Sequence, residues 1–335
     1  MPTPPAPLQA PALPPGQREP LHYRAYGAPL GTHRYPPSPG DENSAHSIPK
    51  NQVLRASINI ASLNVNGYAA PANNMNGIEK WSTINYTMSK NKVAILAVQE
   101  MHLDASLLIN IDDCFGKKLR VLNSELPGNP RASAGVAFVL NKTLIQPKEI
   151  STYELIKGRA LALKMKWHES EEILIFNIYA PNDKSENKAF WEEVDEKRRA
   201  KNLKRPDFML GDFNLTEEEI DRSPPHLDDT RAIDALRNLR QCLNLQDTWR
   251  HQFPNERCFT YRATNNGQHV SSRLDRIYTA QDAAKYTFDW RMTQTSVPTD
   301  HWMVTMKYAP KSAPYIGKGR WTWHTPSLED RKLMD

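Results

Sequence analysis

From residue 57 onward the chain keeps returning to short apolar or alternating runs that stop on a polar residue, and this limits the folds open to it more than any other property. The runs are 57–65 (SINIASLNV), 93–98 (VAILAV), 134–140 (AGVAFVL), 159–167 (RALALKMKW), 173–179 (ILIFNIY) and 207–212 (DFMLGD). Runs this short predict strands, and further strands are expected at 258–263, 273–279 and 302–308. Helical spacing intervenes at 76–90, 186–200 and 228–243, the last with Ile233, Leu236, Leu239 and Leu243 on one face. Asp183 is placed to cap the second helix, with Glu186 three residues on and Phe190, Trp191 and Val194 toward the core. Strands outnumber helices and many carry one polar face. The expected architecture is therefore an α/β fold, a four-layer α/β/β/α sandwich in which two packed mixed sheets are flanked by helices, rather than one parallel sheet.

The ends of the chain behave differently. Residues 1–50 hold 13 of the 26 prolines and show neither period, too little apolar content to offset ordering entropy, so 1–54 is expected to be disordered. One domain is expected over 55–310. The tail 311–335, with Gly317, Gly319, Trp321 and Trp323 before a charged stretch (EDRKLMD), reads equally as a linker into further sequence or as a loosely docked extension. No apolar run reaches membrane-spanning length, and prolines occupy the place of a signal peptide's apolar region, so a soluble intracellular protein with no membrane contact is expected. Cys114, Cys242 and Cys258 form no C-x-x-C pair, which argues against a zinc site or disulfide framework and for three small semi-buried side chains in a reducing compartment. The balance of 43 Lys+Arg against 38 Asp+Glu gives +5, compatible with a polyanionic partner but not diagnostic of one.

Six short segments carry the chemistry. SLNVNG (62–67), VQEMH (98–102), NIYAPN (177–182), GDFN (211–214), RLDRI (273–277) and TDH (299–301) each put a carboxylate, amide or imidazole at a strand end, where a sheet can aim it into a shared cleft. Taken singly each has an ordinary reading. Glu100 could simply close a strand, Gly-Asp-Phe-Asn is a common turn whose Gly211 would allow a tight bend, and only Asp275, inside a run with Leu274 and Ile277, calls for a buried partner. Taken together they outline an oxygen-rich site for a hard cation with a base beside it. Oxygen ligands without Cys or several His favour Mg²⁺, with Mn²⁺ as substitute, over Zn²⁺. Such a site suits phosphoryl chemistry, because acidic groups repel a phosphodiester unless a cation bridges them. No GxxxxGK[ST] loop or G-x-S-x-G elbow offers a competing reading.

The ordered set SLNVNG, QE, NIYAPN, GDFN, LDRI and TDH resembles the endonuclease/exonuclease/phosphatase superfamily over about residues 55 to 310. Within it, QEMHL (99–103) brings the chain nearest to the apurinic-like endonuclease domain of non-LTR retrotransposons. The resemblance implies that Glu100 ligates the metal, with Asn64, Asn66 and Asp300 lining or assisting that site. It implies that His301, oriented by Asp275, contacts the scissile phosphate and assists proton transfer, and that Asp212 activates water. Asn214 and Tyr179 would hydrogen-bond phosphoryl oxygens, and Thr260 in CFTYR would supply a phosphate-contacting hydroxyl. The implied activity is nicking of double-stranded DNA to start target-primed reverse transcription. Element RNA would then be a partner through a downstream reverse transcriptase region, and the location would be nuclear or nucleocytoplasmic. The alternatives are another phosphodiesterase of the superfamily, an abasic-site repair endonuclease or an inositol or lipid phosphatase, and, less favoured because the acids and His301 are intact, a nucleic-acid-binding module with a dead site.

Two departures shape the expectation. Thr299 replaces the usual Ser before Asp-His and keeps the hydroxyl; Asn66 stands where some abasic-site relatives have Asp, which weakens the case for a second metal. The segment 262–272 (RATNNGQHVSS) lacks the Trp-containing loop of repair enzymes, favouring intact duplex as substrate. Its Arg262, Asn265 and Asn266 are candidate DNA contacts, beside a turn-forming Asn-Gly pair. Arg131, Arg159, Arg222, Arg273 and Arg276 are candidate phosphate contacts, although Arg276 could equally pair with a neighbouring acid.

Overall fold

A computed structural model describes residues 55–67, 78–128, 130–131, 134–146, 148–168, 171–265 and 267–316. The expected disordered segment 1–54, the tail beyond 316 and Asn266 lie outside the described residues. In chain order the elements are β1 (Ile58–Asn64), α1 (Ile78–Lys90), β2 (Ile95–Gln99), α2 (Ala105–Phe115), β3 (Leu119–Ser124), β4 (Val136–Asn141), β5 (Lys148–Ile156), β6 (Ala160–His168), β7 (Glu171–Tyr179) and α3 (Lys184–Ala200). There follow β8 (Phe208–Asp212), β9 (Arg222–Ser223), α4 (Thr230–Leu243), β10 (Leu245–Gln246), α5 (Thr248–Gln252), β11 (Tyr261–Asn265), β12 (Gln268–Ser272), β13 (Asp275–Ala280), α6 (Gln281–Ala284), β14 (Thr287–Thr293) and β15 (Met303–Tyr308).

Two six-stranded mixed sheets form, β14-β15-β1-β2-β4-β3 and β10-β13-β8-β7-β6-β5. Only β1 with β2 and β7 with β8 run parallel; the other pairs are antiparallel. Alternation along β1 shows the layering: Ile60 joins the core with Phe176 and Phe208 of the second sheet, whereas Ala61 and Leu63 join Trp81, Ile84 and Met88 of α1 and Ile111 of α2. The second sheet is backed by Phe190, Trp191 and Val194 of α3 and by Ile233, Leu236, Leu239 and Leu243 of α4, all buried as their spacing requires. Asp183 does cap α3, accepting from the backbone N–H of Ser185 and Glu186. The result is the expected α/β/β/α sandwich.

Two strands that the hydrophobic pattern did not announce have a common cause. β3 and β5 lie at sheet edges, where one flank lacks a neighbouring strand and apolar runs are broken by polar residues. Helix α2 (ASLLINIDDCF) hides its period behind a continuous apolar stretch. Gly211 is not a turn residue: it sits within β8 opposite Ile178, its φ is +144°, and a Cβ would lie 1.9 Å from the Ile178 carbonyl oxygen, so only glycine allows β7 and β8 to pair here. The three cysteines are not uniformly semi-buried, since Cys114 and Cys242 are exposed and only Cys258 is half-buried, with burial pushing its thiol up to about 11.

Candidate active site

All six polar segments reach one edge of the sandwich. β1 and β2 end in register at Asn64 and Gln99, β7 and β8 end in register at Tyr179 and Asp212, and the antiparallel β13 begins at Asp275 opposite Asp212. His301 comes just before β15, whose Val304 pairs with Ser62, and bridges to Tyr261 of β11. The carboxyl ends of both parallel pairs and the starts of their antiparallel neighbours therefore converge, the usual place for a ligand in an open α/β sheet.

A chain of hydrogen bonds runs through this edge. The Tyr179 hydroxyl donates to Glu100. The Asn64 amide donates to Glu100 Oε1 at 2.8 Å and to Asp212 Oδ2 at 2.9 Å. Asp212 Oδ1 accepts from the Asn214 backbone N–H at 3.0 Å, and Asn214 Nδ2 donates to the Ala180 carbonyl at 2.8 Å. On the other side of Asp212, His301 Nε2 stands 3.9 Å from Oδ2, while Nδ1 is 2.8 Å from Asp275 Oδ2. Asn66 Nδ2 reaches Asp300 Oδ1 at 3.3 Å on the exposed side.

The electrostatics follow from burial and spacing. Burial alone would lower the His301 pKa, but Asp275, by charge and hydrogen bond, and then Asp212 raise it to about 10, so the ring is an imidazolium at neutral pH. Burial, then the Asp275 charge, push Asp212 above the ordinary carboxylate range against the pull of His301. Burial and the Glu100 charge hold Tyr179 protonated at any physiological pH. Four residues around the cleft take left-handed backbone without being glycine: Asn66 (φ 50°), Glu100 (φ 55°), His102 (φ 48°) and Asn214 (φ 47°). For Glu and His such a conformation costs energy, a pattern concentrated at functional sites.

Asp212, Asp275 and His301 each present a ligand atom within 4.8 Å of the others, a group able to hold a metal ion. Asp275, however, is already spent on the imidazolium, which itself partly neutralises Asp212. The uncompensated charge lies at Glu100 and Asp300, for which no ion pair occurs among the described residues, and both act together with Asp212 on the half-buried Tyr261 phenol, raising its pKa after burial does. Oxygen donors of this kind, without thiolate, fit a hard divalent cation.

Several expected site residues have different work here. Asn64 is fully buried and acts as donor between two carboxylates, its Oδ1 taken by the Asn66 N–H at 2.9 Å, so it organises the acids rather than offering oxygen to a metal. Thr260 is fully buried and its hydroxyl accepts from the N–H of Leu274 and Asp275 at 3.0 and 2.9 Å, which fixes the start of β13; it does not face a substrate. Thr299 likewise bonds inward, donating to the Asn64 carbonyl at 2.9 Å and accepting from His301 N at 3.2 Å. The segment 262–272 forms most of a hairpin, β11 with β12, edged by β9, with Asn265 opposite Gln268 across the turn. Arg262 is exposed on it, stacked 4.8 Å over Trp302; the Asn265 side chain is outside the described residues.

The arginines divide in the same way. Arg273 is buried, bonded to Asp221 at 2.8 and 2.9 Å and to Asp247 at 2.7 Å; Arg276 is buried against Glu217, Tyr278 and the Leu215 carbonyl; Arg222 pairs with Asp228 at 2.6 Å. None of these three is available to DNA. Arg131 pairs with Asp104 at 2.5 Å on the surface. Arg159 forms no ion pair among the described residues and lies half-buried with its guanidinium 5.2 Å over the Tyr179 ring, at the rim of the site. Sequence reasoning passed over Gln99 and Asn177, which join the sheets beneath the cleft by a 2.7 Å bond, Asn177 also donating to the carbonyls of Val98 and Ala137. An amide inside an apolar run was their signal. It also passed over His102 and Tyr261, whose ring lies 5.0 Å from that of His301.

Comparison with known proteins agrees with this geometry. The model of the endonuclease/exonuclease/phosphatase family matches residues 61–301. The uncharacterized 149 kDa protein of transposon TX1 from Xenopus laevis is 32% identical over 146 residues, 44% of this chain, and the match covers only 11% of that protein. Among solved structures, the endonuclease domain of TRAS1, a telomere-specific non-LTR retrotransposon, aligns over 76% of this chain and 100% of its own at TM-score 0.54 and 17% identity. An AP endonuclease from Leishmania major aligns over 76% of this chain and 88% of its own at TM-score 0.61 and 16% identity. At such identities the likeness is one of fold.

Proposed function

The chain belongs to the endonuclease/exonuclease/phosphatase family, and from that membership we propose that it is a Mg²⁺-dependent endonuclease that nicks duplex DNA for a retrotransposon. The observation that carries the reading is the pairing at one strand edge of an imidazolium, His301, with a raised-pKa carboxylate, Asp212, 3.9 Å away. Asp212 is the base: its environment raises its affinity for a proton, and Asn64 and the Asn214 N–H fix its two oxygens so that it faces a water. His301 Nε2–H donates to a non-bridging phosphoryl oxygen and offsets the charge that grows there as water attacks phosphorus, with Asp275 holding the ring in the required orientation. Asn214 keeps one N–H for a second phosphoryl oxygen after bonding Ala180. Glu100 and Asp300, with Asn66 beside them, would hold the divalent cation, which on binding supplies positive charge to the phosphate and to the oxygen that leaves.

A primer for reverse transcription must end in a 3′ hydroxyl, so the bond broken in this role is the one from phosphorus to O3′. Arg159 at the rim suits a flanking phosphate. The likeness to the TX1 protein and the TRAS1 domain supports the retrotransposon setting. Supercoiled plasmid tests the reading directly. Mg²⁺ or Mn²⁺ should convert it to the open-circular form, EDTA should stop the reaction, and Ca²⁺, with looser geometry, should support it poorly. Full nicking in excess EDTA, or cleavage of an inositol phosphate but not of plasmid, would refute it.

A further inference from the structure

We propose that Lys80 is a positioning residue for the cation side of the site, its ammonium clamping the loop Val65–Gly67 so that Asn66 is held toward Asp300; the inference rests on the metal-site reading above. Lys80 belongs to the first turn of α1 and is only 5% exposed, in the layer where Trp81 and Ile84 pack on the sheet. A lysine rarely occupies such a position unless its charge is used. Its three N–H groups point at three successive carbonyls: that of Val65 at very short range, that of Asn66 at 3.5 Å and that of Gly67 at 2.7 Å. These carbonyls converge because Asn66 and Gly67 are both left-handed, with φ of 50° and 84°.

The other side of the loop is tied to the strand end that bears Glu100. Val65 N–H donates to the Gln99 carbonyl at 3.1 Å and Gly67 N–H to the Glu100 carbonyl at 2.9 Å. At Gly67, in the left-handed region with φ of 84°, a Cβ would stand 3.0 Å from His102 Nδ1, so the loop packs tightly against that ring. Asn66 thus projects from a loop gripped on both sides, and its amide is the group that meets Asp300. Lys80 forms no ion pair with a carboxylate among the described residues, so its charge serves the carbonyls. Burial lowers its pKa to about 8, and Glu100 and then Asp300 oppose that fall, which places the ammonium within electrostatic reach of both acids.

Two roles for this cation predict opposite changes in metal affinity. As a clamp it preorganises the site, and its removal weakens metal binding; as a mere nearby positive charge it repels a divalent ion, and its removal strengthens binding. Mn²⁺ binding to the full chain, read from the electron paramagnetic resonance of free Mn²⁺ without any substrate, separates them. For K80M, which keeps the volume and removes the donors, the expected result is a Kd about tenfold weaker than wild type, in line with loss of a group that orients a metal site. In the N66A background K80M should add no further loss, because Lys80 acts through Asn66, and K80R, which keeps donors, should stay within threefold of wild type. A K80M Kd equal to or tighter than wild type, in a protein that melts cooperatively, overturns the proposal, as does full additivity with N66A. Should K80M not melt cooperatively, K80R decides: a Kd within threefold supports the clamp, and a tenfold loss at wild-type Tm overturns it. A wild-type chain that takes up no Mn²⁺ would overturn the site reading itself.

Discussion

Replacing Asp275 with Asn probes the centre of the site with the least change of shape. Asp275 is fully buried and its Oδ2 lies 2.8 Å from His301 Nδ1. In its presence the imidazole pKa stands at about 10 instead of the ordinary 6.5, and at about 1.4 kcal/mol per pH unit that corresponds to roughly 5 kcal/mol in favour of the charged ring. Burial works against this charge and only Asp212 and Asp300 would then oppose it, so without the Asp275 carboxylate the pKa should fall well below its wild-type position. Linkage gives the sign for stability. A group whose folded pKa is raised stabilises fully below its unfolded value, and that contribution is lost as pH climbs through the folded one, so wild-type stability from His301 should decline between about pH 6.5 and 10. D275N should lack that decline and lose a few kcal/mol at pH 7. The nicking rate should fall by about 10²–10⁴ at pH 7.5 if a charged donor is needed at the phosphate, and the alkaline limb of the pH–rate profile should move from near 10 to a markedly lower pH. The assays are plasmid nicking over pH 5–10, thermal melting across the same range and heteronuclear resonances of the His301 ring. A D275N enzyme with the wild-type alkaline limb and the wild-type ring resonances would refute the account.

The other expectations concern separate parts of the molecule. Asp212→Ala should lower nicking at saturating Mg²⁺ by about 10²–10⁴ with cooperative melting retained; activity within tenfold of wild type would remove it as the base. Arg273→Met should cost about 3–5 kcal/mol by removing the side-chain partner of Asp247 and leaving Asp221 to Arg250, visible as a large fall in Tm, and a neutral effect would show that Asp247 finds another partner. Arg159→Ala should leave Tm unchanged while flattening the salt dependence of DNA affinity by about one unit of slope, the loss of one phosphate contact; an unaltered slope would place Arg159 off the DNA. Exchanging 264–270, the far end of the β11–β12 hairpin whose base residue Tyr261 bridges to His301, for a Gly-Ser loop should redistribute nick sites without altering the metal requirement. If mapped nicks keep their positions and proportions, target choice lies elsewhere.

What could be read from the chain alone was local. Ile173–Tyr179 and Phe208–Asp212 are strands because their apolar runs are buried on both faces, α3 begins where Asp183 can cap it, and Glu100, Asp212, Asp275 and His301 stand out because polar groups interrupt or terminate such runs. The rest depended on which strands become neighbours, and that is decided by pairing between residues far apart in sequence. No local pattern shows that Thr260 spends its hydroxyl on the start of β13, that Arg273 is neutralised by Asp221 and Asp247, or that Gln99 meets Asn177 between the sheets. The edge strands β3 and β5 escaped for a related reason: one flank of each lacks a neighbouring strand and their apolar residues are interrupted by polar ones, whereas β14 did carry a signal, the alternation of Phe288, Trp290 and Met292 toward the core. Lys80 shows the limit most sharply, since a lysine in an amphipathic helix reads as solvent-facing until the fold brings three carbonyls of a distant strand end over it. Burial makes a charged or polar group depend on its partners, and partners are supplied by tertiary contact.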